Sequence, residues 1–271
     1  MTFSATLPGP STALLMCVVS TDAPTRNQNG VSNTKDVIRN ARTAQYNLPK
    51  QGMQSFRCSI AIDWEGVFKQ LGADTDSSQA LLALLQKTRF KAMVGPDGSS
   101  SLSRESDEPP PNADIADRLR GSEDGVEQTI TGLLKTWAGF MVLSMIPEPS
   151  DEYDLALADG KYLLTYGAGG MDIAIEFNSD LKMERVSYKS AKLSGEFKPT
   201  FEANPNGFVL SGYAATVDEP ATGGMTHFDA SFENQTVDGL TLPHVVTAKV
   251  PFKDTGMTIQ MTFSDFQVTK K

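Results

Sequence analysis

The chain has 271 residues, with 24 Lys and Arg against 33 Asp and Glu and a formal net charge of -9. Such a surface repels phosphate backbones, and its densest cationic group (Lys182, Arg185, Lys189, Lys192) is interrupted by Glu184, which argues against a nucleic-acid partner. A hydrophobic content of 39% and a charged content of 21% are those of a soluble globular protein long enough to bury a core, as one large domain or two small ones, and no apolar run approaches a membrane span.

Two isolated cysteines, Cys17 and Cys58, make neither a metal site nor a disulfide framework. Ala13 to Val19 is a short apolar run resembling the h-region of a signal peptide, but no Lys or Arg precedes Arg26 to supply a positive n-region. Leu14-Leu15-Met16-Cys17 has the shape of a lipoprotein cleavage site, with bulky Met16 where a small residue is expected. Residues 1–33 thus read as a signal segment, a lipoprotein signal or a disordered tail. The expected location is the cell envelope or periplasm, or outside the cell.

In chain order, residues 20–33 read as a linker rich in Asn, Thr, Pro and Gly. Asn33 or Thr34 caps a helix expected to run to about Leu48, stopped by Pro49 and Gly52. From Ser55 to Asp63, Phe56, Cys58, Ile60 and Ile62 alternate with more polar residues, a strand with Cys58 on its apolar side as a small buried hydrophobe. Trp64–Leu71 reads as a connector. Asp76 opens a helix with Gln79 three residues on, a capping-box-like pair, and Arg89–Val94 reads as a strand. Pro96 to Asn112 contains SSSLSRESDEPPP, whose serines, charges and prolines cannot build a core, so residues 97–111 are expected to be a dispensable flexible loop.

Ala113 to Ile146 is a helical block, expected to divide at Gly121 and Gly125 with Ser122, Glu123 and Asp124 as cap and acidic first turn. From Val126 its apolar residues (Ile130, Leu133, Leu134, Trp137, Phe140, Met141, Met145) fall on one broad stripe, ending at Pro147 and Pro149. The stripe fits a helix packed on a sheet or a ligand lid. From Tyr153 onward, roughly nine strands bounded by turn residues, Asp159-Gly160 and Asp254-Thr255-Gly256 among them, predict an antiparallel meander. The alternation is clearest at Phe228, Ala230 and Phe232 and again at Met257, Ile259, Met261 and Phe263. Helices followed by such a meander define an α+β protein.

Residues with catalytic chemistry are sparse. His227 and His244, the two histidines, have no Cys or carboxylate at zinc-ligand spacing, and no G-x-S-x-G elbow is present. Gly167-Ala168-Gly169-Gly170 is too short for a phosphate loop and joins two strands. Asp151, Glu152 and Asp154 form a solvated face. No catalytic residue, metal ligand or cofactor is expected, and the protein reads as a non-enzyme.

Several phrases together resemble one family: Gln51-Gly52-Met53-Gln54-Ser55-Phe56 after a short amphipathic helix, Ile173 to Leu181, Thr236-Val237-Asp238-Gly239-Leu240-Thr241-Leu242-Pro243, and the closing Ile259 to Val268. The chain resembles a divergent member of the periplasmic lipoprotein-carrier superfamily, LolA/LolB-like, to which sigma-regulator sensors are related. The resemblance implies an unclosed antiparallel β-barrel, a half-barrel, with helices packed on or plugging its concave face. It implies one such domain over residues 34–271, with a helical and loop insertion at about 73–149. It also implies non-enzymatic binding of a lipid or lipoprotein acyl chain, and transport of lipoproteins. The alternative is a sensor or scaffold of the same fold that binds a protein partner. Under the carrier reading the cavity is lined by Leu133, Trp137, Phe140, Met141, Phe228, Phe232, Met257, Ile259, Met261 and Phe263. Burying acyl carbons there yields about 0.8 kcal/mol per methylene, so no charged anchor is needed.

Overall fold

The structure, a computed structural model, describes residues 33–72, 76–106, 109–219, 224–252 and 256–271. The expectations for the segment before Asn33 lie outside the described residues, as do Asp254 and Thr255 of the last expected turn. The helices are α1 (Thr34–Ala44), α2 (Trp64–Leu71), α3 (Asp76–Leu85) and α4 (Ala113–Ala138), with a 3-10 turn at Pro49–Gln51 and a π-helical turn at Gly139–Leu143. The strands of the first half are β1 (Met53–Ile62), β2 (Arg89–Val94) and β3 (Ser100–Glu105). Those of the second half are β4 (Asp154–Ala158), β5 (Lys161–Ala168), β6 (Met171–Phe177), β7 (Met183–Lys189), β8 (Ser194–Asn204), β9 (Gly207–Glu219), β10 (Gly224–Val237), β11 (Leu240–Val250) and β12 (Met257–Lys270). They follow the hydrogen-bonded order β3-β2-β1-β12-β11-β10-β9-β8-β7-β6-β5-β4, an antiparallel α+β arrangement in which β3 and β4 are the two ends. The chain forms two compact units, one holding Leu48–Ala138 and Ala230–Lys271, the other holding Gly139–Asp229 and the described residues up to Asn47.

In the first unit, β1 lies between β2 and β12. Phe56, Cys58 and Ile60 of β1 and Phe90, Ala92 and Val94 of β2 are buried, as the period of two predicts. On β12 the alternation through Met257, Ile259, Met261 and Phe263 slips at Asp265, whose φ is 53°, opposite the register shift between Arg57 and Ser59. This bulge returns Phe266 to the ring of Phe56, with centroids 5.7 Å apart.

This unit departs from expectation at three places. Trp64–Leu71 is the helix α2: the Asp63 carboxylate accepts the Gly66 N–H at 3.0 Å, and Trp64, Val67 and Phe68 make its buried face. Asp63→Ala removes that cap and is expected to lower stability by about 1 kcal/mol, read as a shift of the denaturant midpoint at unchanged slope. Residues 97–111 are not one loop, because Ser100–Glu105 is β3, paired along its length with β2. Asp97 folds the connecting turn by accepting the Ser99 N–H at 3.0 Å and the Ser99 hydroxyl at 2.6 Å. β3 escapes a periodicity reading because only Leu102 is apolar and ion pairs hold it, Lys91 to Glu105 at 2.8 Å and Arg104 to Asp124 at 2.7 Å. Asp107 and Glu108, also in the expected loop, lie outside the described residues.

The third departure is α4, which is unbroken at Gly121 and Gly125. Its cap is Asn112, whose side-chain oxygen accepts the Ile115 N–H at 2.9 Å. Glu123 is no first-turn residue: it is buried, accepts a hydrogen bond from the Thr88 hydroxyl at 2.8 Å and lies 3.4 Å from Arg104. Tertiary partners for Glu123 thus replace the local first-turn role.

In the second unit, α1 ends at Ala44, short of the expected Leu48. Gln45 is extended and bridges Phe208, and the Tyr46 N–H donates to the Phe208 carbonyl at 3.0 Å, so strand pairing takes the backbone groups that a longer helix would use. Asn33 does not cap α1 with its side chain, which donates to Asp36 instead. The meander follows its turn residues. Asp159 and Gly160, with φ of 52° and 76°, give the tight hairpin between β4 and β5. Asn178 accepts the N–H groups of Asp180 and Lys182, each at 3.0 Å, and holds Leu181 at φ 61°, so β7 starts at Met183.

Candidate functional site

The ten expected lining residues fall into two sets. Leu133, Trp137, Phe232, Met257, Ile259, Met261 and Phe263 belong to the first unit; Phe140, Met141 and Phe228 belong to the second. In the first unit, Trp137 stands edge-on to Phe56 with centroids 5.9 Å apart and planes at 87°. A side chain lining a cavity large enough for water exposes area to it. Trp137, Ile259, Met261 and Phe263 are each 0% exposed, so none of these four borders a cavity large enough for water. Cys58 is part of the same packing, and burial pushes its thiol up to about 12, which keeps it protonated and unreactive.

In the second unit the expected residues enter an aromatic cluster centred on Phe197. Its ring lies 6.4 Å from Phe140, 5.8 Å from Tyr188, 5.7 Å from Tyr213 and 6.4 Å from Phe228. Phe140 also meets Phe201 at 6.2 Å, and Tyr213 meets Phe228 at 6.0 Å. Most of these pairs are edge-to-face, the arrangement that ring quadrupoles favour. The π-helical turn carries Phe140 and Met141, and the Met141 sulfur accepts the Leu210 N–H at 3.4 Å. Phe201 and Phe228 are half-buried, whereas Phe140, Tyr188, Phe197 and Tyr213 are buried.

Phe197, Tyr188, Tyr213 and Phe201 are absent from the residues that the sequence singles out. Their strands alternate visibly, but the pairings that align Phe197 with Val186 and Ala215, and Tyr188 with Gly195, depend on register. The signal that could find them is a run of aromatic residues at alternate positions of adjacent strands.

The same sheet carries an open groove of about 920 Å³, lined by Thr165, Ala174, Ser187, Glu196 and Thr216 in successive strands and also by Tyr188 and Gly195. Glu196 is held by Arg185 at 3.2 Å and Lys198 at 3.2 Å. His227 is exposed and its Nδ1 lies 3.0 Å from the Thr216 hydroxyl; His244 is exposed on β11. Among the described residues no group of three His, Cys, Asp or Glu side chains could hold a metal ion, and no helix is long and apolar enough to cross a membrane. No protein-family profile, curated protein or solved structure matches the chain.

Proposed function

We propose that this protein binds a long apolar chain, the acyl portion of a lipid or lipoprotein, without catalysing a reaction on it. In this reading it is a divergent relative of the lipoprotein carriers of the cell envelope, and its sheet is a half-barrel with helices on the concave face. The observation that carries the reading is the aromatic cluster of the second unit, with Phe201 and Phe228 half-buried at its margin. Rings and a methionine offer a broad, adaptable apolar surface that needs no charged anchor.

The test is titration of detergent-free protein with a fluorescent fatty acid, beside native mass spectrometry for co-purified lipid. Phe228→Ala removes a marginal ring and is expected to weaken the fatty acid about tenfold, or about 1.4 kcal/mol. Absence of probe binding and of co-purified lipid in the wild type sinks the reading. A second reading, a scaffold or sensor of the same fold that binds a protein partner, calls for a packed interior with an exposed apolar patch, and the absence of exposed area at Trp137, Ile259, Met261 and Phe263 fits the first of these requirements.

A further inference from the structure

The groove of the second unit is built on two rows of side chains. Pairing across β6 to β9 sets Asp172, Lys189, Ser194 and Asp218 side by side in one row. Pairing across β4 to β9 sets Asp154, Thr165, Ala174, Ser187, Glu196 and Thr216 in the next. All of them line the groove, and cross-strand partners project from the same face, so the groove runs across the strands over mostly small side chains. With each strand step about 4.8 Å, Asp172 and Asp218 stand about 14 Å apart. Elsewhere on this sheet neighbouring charges neutralise one another: Arg185 pairs with Glu176 and Glu196, Lys198 with Glu196, and Lys161 with Glu184. The groove differs. Among the described residues Asp154, Asp172 and Asp218 have no ion-pair partner, and Lys189, the one cation of the lining, is unpaired although it stands beside Asp172. Carboxylates left free along one trough, in a chain of net charge -9, raise the local concentration of cations there.

We propose that this groove binds an aliphatic polyamine, laid across the strands with ammonium groups on Asp154, Asp172 and Asp218 and methylenes over Ala174 and Ser187. This goes beyond the acyl-binding reading and does not depend on it. The ligand class follows from the spacing. Carboxylates this far apart cannot share one metal ion, and no group of three His, Cys, Asp or Glu side chains among the described residues could hold one, so the pattern calls for several separated positive charges on one chain. A basic peptide fits less well. The main-chain groups along these rows already exchange hydrogen bonds with neighbouring strands, so a peptide's amides would find no main-chain partner, whereas a polyamine carries no amides. The groove volume of about 920 Å³ lies within the range of small-molecule sites.

The experiment is calorimetric titration of the full chain at low ionic strength with spermine and with putrescine, which is too short to reach both Asp172 and Asp218. Spermine is expected to bind about tenfold more tightly than putrescine, because more of its ammonium groups meet carboxylates. Asp172→Asn and Asp218→Asn should each weaken spermine about threefold, and Lys189→Gln, which removes a like charge, should strengthen it by about the same factor. Glu202→Gln, at an exposed carboxylate of β8 outside the groove, should leave binding unchanged. A thermal melt reports whether each variant is folded. Absence of spermine binding to wild type overturns the proposal. Equal weakening by Glu202→Gln, or no gain from Lys189→Gln, overturns it by showing only diffuse attraction to an acidic surface. A lysine oligopeptide of the same charge that outcompetes spermine overturns it in favour of a protein partner. The acyl-binding reading stands or falls separately, by the fatty-acid titration.

Discussion

Trp137→Ala is expected to destabilise the first unit by about 3–5 kcal/mol, the cost of truncating a large side chain in a filled interior. The indole is 0% exposed and edge-on to Phe56, so its removal takes away contacts on every side and leaves a void that the surrounding sheet cannot close. Trp137→Phe is the control. It keeps a ring and deletes an indole N–H that has no hydrogen-bond partner among the described residues, so it should cost less than half as much. Denaturant melts of the two variants beside wild type measure both effects. A cost for Trp137→Ala below about 1 kcal/mol would mean that the ring borders open space and that the lining role expected from the sequence applies after all.

The second large effect concerns Gly207→Ala, for which a loss of about 2–5 kcal/mol is expected from backbone strain and overpacking together. Gly207 has a φ of 119°, a region that a side chain makes costly. A Cβ there would lie 2.7 Å from the Ala44 carbonyl oxygen and 2.8 Å from the Tyr46 nitrogen, both backbone atoms that cannot rotate away. The same segment supplies the Tyr46 to Phe208 hydrogen bond that ends α1, so the substitution should also loosen the start of the second unit. Hydrogen exchange of the Tyr46 amide, beside a denaturant melt, reads both consequences. Unchanged exchange and stability would show that the chain after α1 does not depend on this approach.

The local signals in the sequence carry far where one residue and its neighbours decide the outcome. The alternation in β1, β2, β10 and β12, the Asp159-Gly160 hairpin and the stripe of α4 are legible because a strand period of two, a turn needing positive φ and a helical repeat are properties of short segments. Burial of Cys58 is legible for the same reason. Tertiary structure decided the rest. β3 exists because β2 offers it hydrogen bonds and Arg104 finds Asp124, although its own side chains carry almost no apolar pattern. Glu123 leaves its expected place in an acidic first turn because Thr88 and Arg104 meet it in space. The candidate site shows the same division. Helical spacing places Phe140, and strand alternation Phe228, on apolar faces, but their gathering around Phe197, and the placing of the Tyr188 hydroxyl over Gly195, follow from how β7, β8 and β9 are registered and from β10 lying beside β9. A period of two says which face a side chain takes, and pairing alone says which side chains share a row.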